Sequence, residues 1–186
     1  MSVSLIKGQR LSLEKTAGGQ LAKVTMGLGW DITPEAGTVD LDASCATYDD
    51  QGNLLETVYF RNLRSRDGSI QHSGDNLTGA GDGDDEQIVL DLSKLPANVQ
   101  SIMFTVTSYR GQQFTVVRNA FGRLVNAADG KEICRYELSV GFPNTALILA
   151  RLYRHNGEWK IAALGEPADG RVITDHSLQA KIRSIL

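Results

Sequence analysis

The chain has 186 residues, of which 41% are hydrophobic and 22% charged, and a net charge of −3. That is enough apolar side chain for one domain with a proper core, or at most two very small ones. Nothing in this balance suggests a general nucleic-acid or anionic-membrane surface, which would need a basic excess. Cys45 and Cys134 stand in no zinc spacing, and Cys45 falls on the apolar side of its segment, which reads as a buried free thiol. The N-terminal MSVSLIKGQRLSL has no apolar stretch long enough for a signal peptide. No window reaches the roughly 20 apolar residues of a membrane helix. The expectation is a cytoplasmic protein with reduced thiols that does not span a membrane.

Taken in chain order, the apolar residues mostly alternate. Val39, Leu41, Ala43 and Cys45 alternate with Asp40, Asp42 and Ser44. Leu54–Phe60 follows across the turn signal DDQGN. Ile88, Leu90 and Leu92 alternate with Gln87 and Asp91, and Ile102, Phe104 and Val106 with Met103, Thr105 and Thr107. A period of two marks half-buried strands. Phe114, Val117 and Phe121 share a helical face, so Phe114–Phe121 reads as a short helix. Arg123–Val125 and Glu132–Leu138 flank Asp129-Gly130; Ala146–Tyr153 and Trp159–Leu164 flank Asn156-Gly157. Both dipeptides supply the positive φ of hairpin turns. Leu178, Ile182 and Ile185 line one face of a C-terminal helix capped by Thr174 or Asp175 and docked on the body of the protein. Many short strands with regular turns predict a mainly β fold, an antiparallel β-sandwich with one or two short helices. There is no internal repeat and no low-complexity linker.

Acidic residues concentrate in GDNLTGAGDGDDE, residues 74–86. Asp75, Asp82, Asp84, Asp85 and Glu86 share this window with no Lys or Arg among them. Asn76 and Thr78 add neutral oxygens, and Gly74, Gly79, Gly81 and Gly83 let the backbone turn sharply and point carbonyls inward. Carboxylates this close repel one another unless some stay protonated or a cation intervenes. Calcium accepts six to eight oxygens in irregular geometry and suits such a mixture, whereas magnesium demands a stricter octahedron. Zinc prefers Cys and His, which the window lacks. The EF-hand template fails, because Glu86 and Gln87 occupy its third acidic and its glycine positions. Asp40 and Asp42 share one strand face roughly 7 Å apart, and Asp31 precedes that strand in GLGWD.

These motifs carry a resemblance. GLGWD (27–31), DLDAS (40–44), HSGDNLTGAGDGDDE (72–86), LSKLPANVQ (92–100), RNAFGRLV (118–125) and LGEPADGR (164–171) together resemble the TerD family of tellurium-resistance proteins, over nearly the whole chain. The link ITPEAGTV between the first two motifs is short, which bears on the rim of the site. The resemblance implies a single β-sandwich domain, residues 1–186, that binds Ca2+ through loops at one edge. Carried over by motif, the ligand positions are Asp31, Asp40, Asp42, Asp75, Asn76, Thr78, Asp82, Asp84, Asp85 and Glu86, with a carbonyl from Gly83. It also implies resistance to tellurite, pore-forming colicins and phage, and a stress response. The implied partners are other tellurium-resistance proteins in a membrane-associated complex that includes an integral membrane protein. The matching placement is cytoplasmic, peripheral at the inner face of the membrane.

Three functions compete on the residues. A calcium-dependent binding module, not an enzyme, uses the acidic segment to shape a surface for a protein or membrane-associated partner. A metal-assisted hydrolase would use the same carboxylates, but the chain has no nucleophile elbow, P-loop or HExxH, and His72 reads as a structural residue at a strand end. Direct thiol chemistry on tellurite needs an exposed, low-pKa cysteine, which the buried Cys45 does not offer.

Overall fold

The computed structural model describes residues 2–32, 39–77, 83–137 and 141–186. Its strands are β1 (Val3–Ser4), β2 (Arg10–Ser12), β3 (Lys23–Ile32), β4 (Leu41–Tyr48), β5 (Leu54–Val58), β6 (Ile70–His72), β7 (Glu86–Asp91), β8 (Ser101–Ser108), β9 (Val117–Asn126), β10 (Glu132–Glu137), β11 (Ala146–His155) and β12 (Glu158–Ala168). Two helices, α1 (Leu13–Ala17) and α2 (His176–Arg183), complete it with one 3-10 turn at Phe114–Val116. The strands form two six-stranded sheets, ordered β1-β10-β9-β3-β7-β6 and β2-β12-β11-β8-β4-β5. Among the described residues only the short β1–β10 pair is parallel. This is the antiparallel sandwich that the alternation predicts. Among the described residues no helix is long and apolar enough to cross a membrane.

Both hairpin signals hold. Asn156 and Gly157 take positive φ between β11 and β12, and Gly130 does so between β9 and β10. The helix expected over Phe114–Phe121 is a correction: only Phe114–Val116 turns, and Val117 starts β9. The run Thr115-Val116-Val117 is β-branched, which disfavours a helix. Pairing with β3, Val117 against Ile32 and Arg118 against Asp31, supplies the alternative. Asn119, at φ 48, lies beside the irregularity at Gly29–Asp31.

The two inner faces build the main core, with Leu28, Trp30, Leu41, Cys45, Phe104, Leu124 and Leu152 in it. A second apolar cluster lies on the outer face of the second sheet. There Leu178 and Ile182 of α2 pack with Ala46, Tyr48, Met103, Ile148 and Ile173, and the Tyr48 hydroxyl donates to Gln179 Oε1 at 3.0 Å. Asp175 stands at the N-cap, as expected. With the core on one face and this cover on the other, β4 and β8 are buried along their whole length, and are not half-buried strands with one face in water. Their polar residues Asp42, Ser44, Thr105 and Thr107 are therefore buried too.

Docking of α2 is testable through Leu178, which has no exposed surface. Leu178→Ala is expected to lower the unfolding free energy by about 2–4 kcal/mol. In a urea titration the midpoint should fall with little change in slope; an unmoved midpoint would show that α2 adds nothing to the fold.

Candidate metal centre

The ends of β3 and β6 and the starts of β4 and β7 meet at one end of the sandwich and, with the residues next to them, carry the described acidic positions that the sequence singles out. The geometry begins with a missing neighbour. β5 pairs with β4 only from Cys45 to Tyr48, so on that side Ala43 has no strand beside it. Two side chains from the first sheet substitute. The Ala43 N–H donates to Glu86 Oε2 at 2.7 Å, and the Ala43 carbonyl sits 2.9 Å from His72 Nε2. His72 Nδ1 accepts from the Gly74 N–H at 3.0 Å, so Nε2 carries the proton and the ring is the neutral tautomer. Glu86 Oε1 accepts from the Asn76 N–H at 3.0 Å. Glu86 thus bridges the segment that carries Asp42 to the one that carries Asp75.

Beside this bracket, Asp40, Asp42 and Asp75 each place one carboxylate oxygen within 4.8 Å of the others. Asp40 and Asp42 are buried, and Asp75 is exposed. Asp40 Oδ1 and Asp42 Oδ2 are buried with no hydrogen-bond partner among the described residues. Thr107, the register partner of Asp42, and Thr105 have buried hydroxyls in the same condition. Burial, then the charges of Glu86, Asp40 and Asp75, pushes the Asp42 carboxyl up to about 8. Burial and then Asp75 raise Asp40 as well, against Arg110, whose Nε lies 3.8 Å away. Leaving such oxygens unpaired is costly. A hard cation would satisfy them, and an all-oxygen set of this kind fits calcium.

The remaining sequence-predicted positions divide. Asp85 accepts from the Trp30 N–H at 2.9 Å and from the Asn76 side-chain amide at 3.3 Å. Burial raises it, opposed by that backbone donor, with Asp31, Glu86 and Asp84 adding to the rise. Asp31 accepts from Asn119 Nδ2 at 2.7 Å. Asp31 and Asp85 therefore form a second acidic locality next to the first. Asp84 lies outside the three-carboxylate group. Its Oδ1 takes the Arg123 Nε–H at 2.6 Å and its Oδ2 the Gln87 amide at 3.0 Å. Arg123 and Gln87 both face Gly27 in the register of β3. A Cβ at Gly27 would collide with the Asp84 carboxylate, and one at Gly29 would come 2.5 Å from the Gly83 carbonyl. The two glycines of GLGWD thus let residues 83–85 lie on the sheet, and Gly83 itself has φ +96. Thr78 and Asp82 lie outside the described residues.

The site residues that sequence reasoning missed are Arg123, Thr105 and Thr107. Arg123 is 39 positions from Asp84, and no local signal marks it. The threonines read as the polar half of an alternating strand. Both cysteines are free and buried, Cys45 in β4 and Cys134 in β10. Burial pushes each thiol up to about 12, which leaves neither as a nucleophile at neutral pH.

Fold and site together define a β-sandwich protein with an all-oxygen carboxylate cluster spanning its two sheets at one end. The chain belongs to the TerD family: the TerD domain matches residues 1–174. It is 45% identical over 183 residues to tellurium resistance protein TerZ of Serratia marcescens, covering 93% of this chain and 94% of that protein. To general stress protein 16U of Bacillus subtilis (strain 168) it is 44% identical over 192 residues, covering 96% and 99%. The crystal structure of a homologue of the telluride resistance protein (TerD) from Streptomyces coelicolor A3(2) superposes with a TM-score of 0.70 at 24% identity, over 81% of this chain and 92% of that one. The likeness in fold therefore extends to distant sequences. Helix α2 begins at His176, just past the matched region.

The metal-free site makes a pH prediction. Asp42 titrates near 8 in the fold against 3.8 as an ordinary aspartate, so the native state holds a proton that the unfolded chain has released. Stability from that proton is full at acid pH and is lost as pH rises towards 8. In chelator, the melting temperature is expected to fall between pH 6 and pH 8, by the equivalent of about 2–3 kcal/mol, and to level off above that. Asp42→Asn should flatten the fall; the same slope in both proteins would contradict this picture.

Proposed function

We propose that this chain is a calcium-binding module of a bacterial tellurite and stress resistance system, with all 186 residues forming one such domain. The observation that carries the reading is that Asp40 and Asp42, each with a buried carboxylate oxygen that has no hydrogen-bond partner among the described residues, converge with Asp75. Asp40, Asp42 and Asp75 would hold the ion, with Thr107 beside them. Asp31 and Asp85 would serve a second position. Glu86 acts mainly as the bracket that sets the spacing, and Asp84 as the clip that fixes residues 83–85 through Arg123.

Bound calcium neutralises the cluster and supplies the missing link between the Asp40–Asp42 segment and the Asp75 segment. With those segments fixed, the edge presents a defined surface. The partner class that fits the family is another tellurium-resistance protein, within a membrane-associated complex at the inner face of the membrane. The relatives named for tellurium resistance and general stress support this setting. Binding is favoured over hydrolysis because His72, the imidazole at the cluster, has both ring nitrogens occupied by backbone groups. It is not placed to move a proton for a reaction.

Calcium is expected to raise the melting temperature of chelator-treated protein. Binding to the native state alone adds about 2.7 kcal/mol at a hundredfold excess over the dissociation constant. Magnesium should add markedly less. Asp42→Asn should remove most of the calcium-induced shift. Asp91→Asn should keep it, because Asp91 lies at the other end of β7, bonded to Ser93 and paired with Lys23 and Lys94. Differential scanning calorimetry checks this; equal calcium shifts in the two variants would overturn the assignment.

A further inference from the structure

Calcium at the acidic end leaves the opposite part of the second sheet unexplained. The outer face that α2 does not cover carries Arg10, Arg151 and Lys160. Arg10 and Arg151 flank Ala162 in one cross-strand row, so their Cα atoms stand roughly 10 Å apart. Lys160 follows in the next row, between Ser12 and Tyr153. The side chain of Arg151 is pinned: Nε and Nη2 donate to Ser101 Oγ at 3.0 and 2.8 Å, and the guanidinium lies 5.3 Å from the Tyr153 ring centre. Among the described residues it has no carboxylate partner. Burial weakens its hold on its proton, with Tyr153 opposing that and Arg10 adding to it. A half-buried cation held by a neutral hydroxyl and pushed by a like charge is electrostatically incomplete.

Arg151 also lines an open pocket of about 460 Å³, with Ser101, the 49–52 turn, and Arg183 and Leu186 at the end of α2. The acids of this region are accounted for as follows. Asp49 turns inward: its oxygens accept from the Gln51 and Asn53 N–H groups and the Asn53 amide. Glu158 accepts from Ser12 Oγ at 3.0 Å. Asp50 is exposed at the rim.

We propose that this pocket is an anion site for a phosphate group, recognised by Arg151 with Arg183 lining the same pocket and with Arg10 and Lys160 supplying field from neighbouring strands of the same sheet. Guanidinium is suited to this role because its forked donors match phosphate oxygens. Nε and part of Nη2 are spent on Ser101, which orients the fork and leaves Nη1 for the ligand. The site lies apart from the carboxylate cluster and does not depend on calcium. The same chemistry could arrive as free phosphate, as a chain of phosphates or as a lipid headgroup.

The probes are inorganic phosphate and tripolyphosphate, titrated into calcium-free full-length protein and followed by amide chemical shifts. A second arm is co-sedimentation with phosphatidylglycerol vesicles. The expected result is a saturable shift centred on Ser101 and Arg151 at millimolar phosphate or below, tighter with tripolyphosphate and weakened by salt. Arg151→Gln should weaken it about tenfold or more, and Arg151→Lys should restore only part. Exposed Arg183→Gln, which leaves the Ser101 bond intact, should also weaken it. Vesicle binding lost in the same variants would identify the headgroup as the source; phosphate binding without vesicle binding would identify a soluble ligand. No saturable shift with either phosphate and no vesicle binding, or binding unchanged in both Arg151→Gln and Arg183→Gln, would overturn the proposal. Calcium-induced stabilisation should be the same in these variants as in wild type, so failure here is distinguishable from failure of the calcium reading.

Discussion

The acidic end of this protein depends on how one strand edge is closed. Where β5 leaves β4, the backbone groups of Ala43 would otherwise be stranded inside the protein, and Glu86 and His72 take them. A backbone pair buried without partners costs as much as lost hydrogen bonds. The substitution therefore stabilises the edge and at the same time sets the position of its neighbours. Asp42 precedes Ala43 and Asp75 precedes Asn76, and both Ala43 and Asn76 donate to Glu86. One buried carboxylate thus fixes the distance between two others. The convergence of Asp40, Asp42 and Asp75 is a consequence of that closure, and so is the unsatisfied state of the buried Asp40 and Asp42 oxygens.

Much of this was legible in the residues, and the parts that were not have physical reasons. Alternation in β4, β7 and β8, with Asn156-Gly157 and Asp129-Gly130 between strands, is a local signal and led directly to the sandwich. The burial of the polar face of β4 is not local: it needs the apolar cluster under α2, brought there from the far end of the chain. Phe114–Phe121 shows the opposite failure, a helical spacing of apolar residues overridden by pairing with β3. At the site, the list of acidic residues could be read directly, but its division could not. Asp84 is one more acid in the sequence, and only the fold shows that Arg123 and Gln87 grip it above Gly27. The glycines of GLGWD have the same explanation: they are sites of close approach, not of flexibility.

The net charge of −3 conceals a separation. Acids gather at one end of the sandwich, where β4 and β7 begin, and cations with no carboxylate partner among the described residues gather on the outer face of the second sheet. An excess of acid in the total says nothing about a row such as Arg10, Ala162 and Arg151, which forms only when β2, β12 and β11 align. With calcium bound, the acidic end would lose much of its charge while the basic face kept its own. A protein of this design would present two chemically distinct surfaces, one of them conditional on the metal.

The central claim is that the unpartnered oxygens of Asp40 and Asp42, with Asp75, are cation ligands. The most direct measurement is a crystal structure of protein grown in calcium, with the ion located by its anomalous scattering. The account predicts a peak about 2.3–2.6 Å from an oxygen of each of the three carboxylates, with Asp84 still on Arg123 and Glu86 still on Ala43. A protein saturated with calcium that held no ion at these three residues, or that bound it by releasing Asp84 from Arg123, would contradict it.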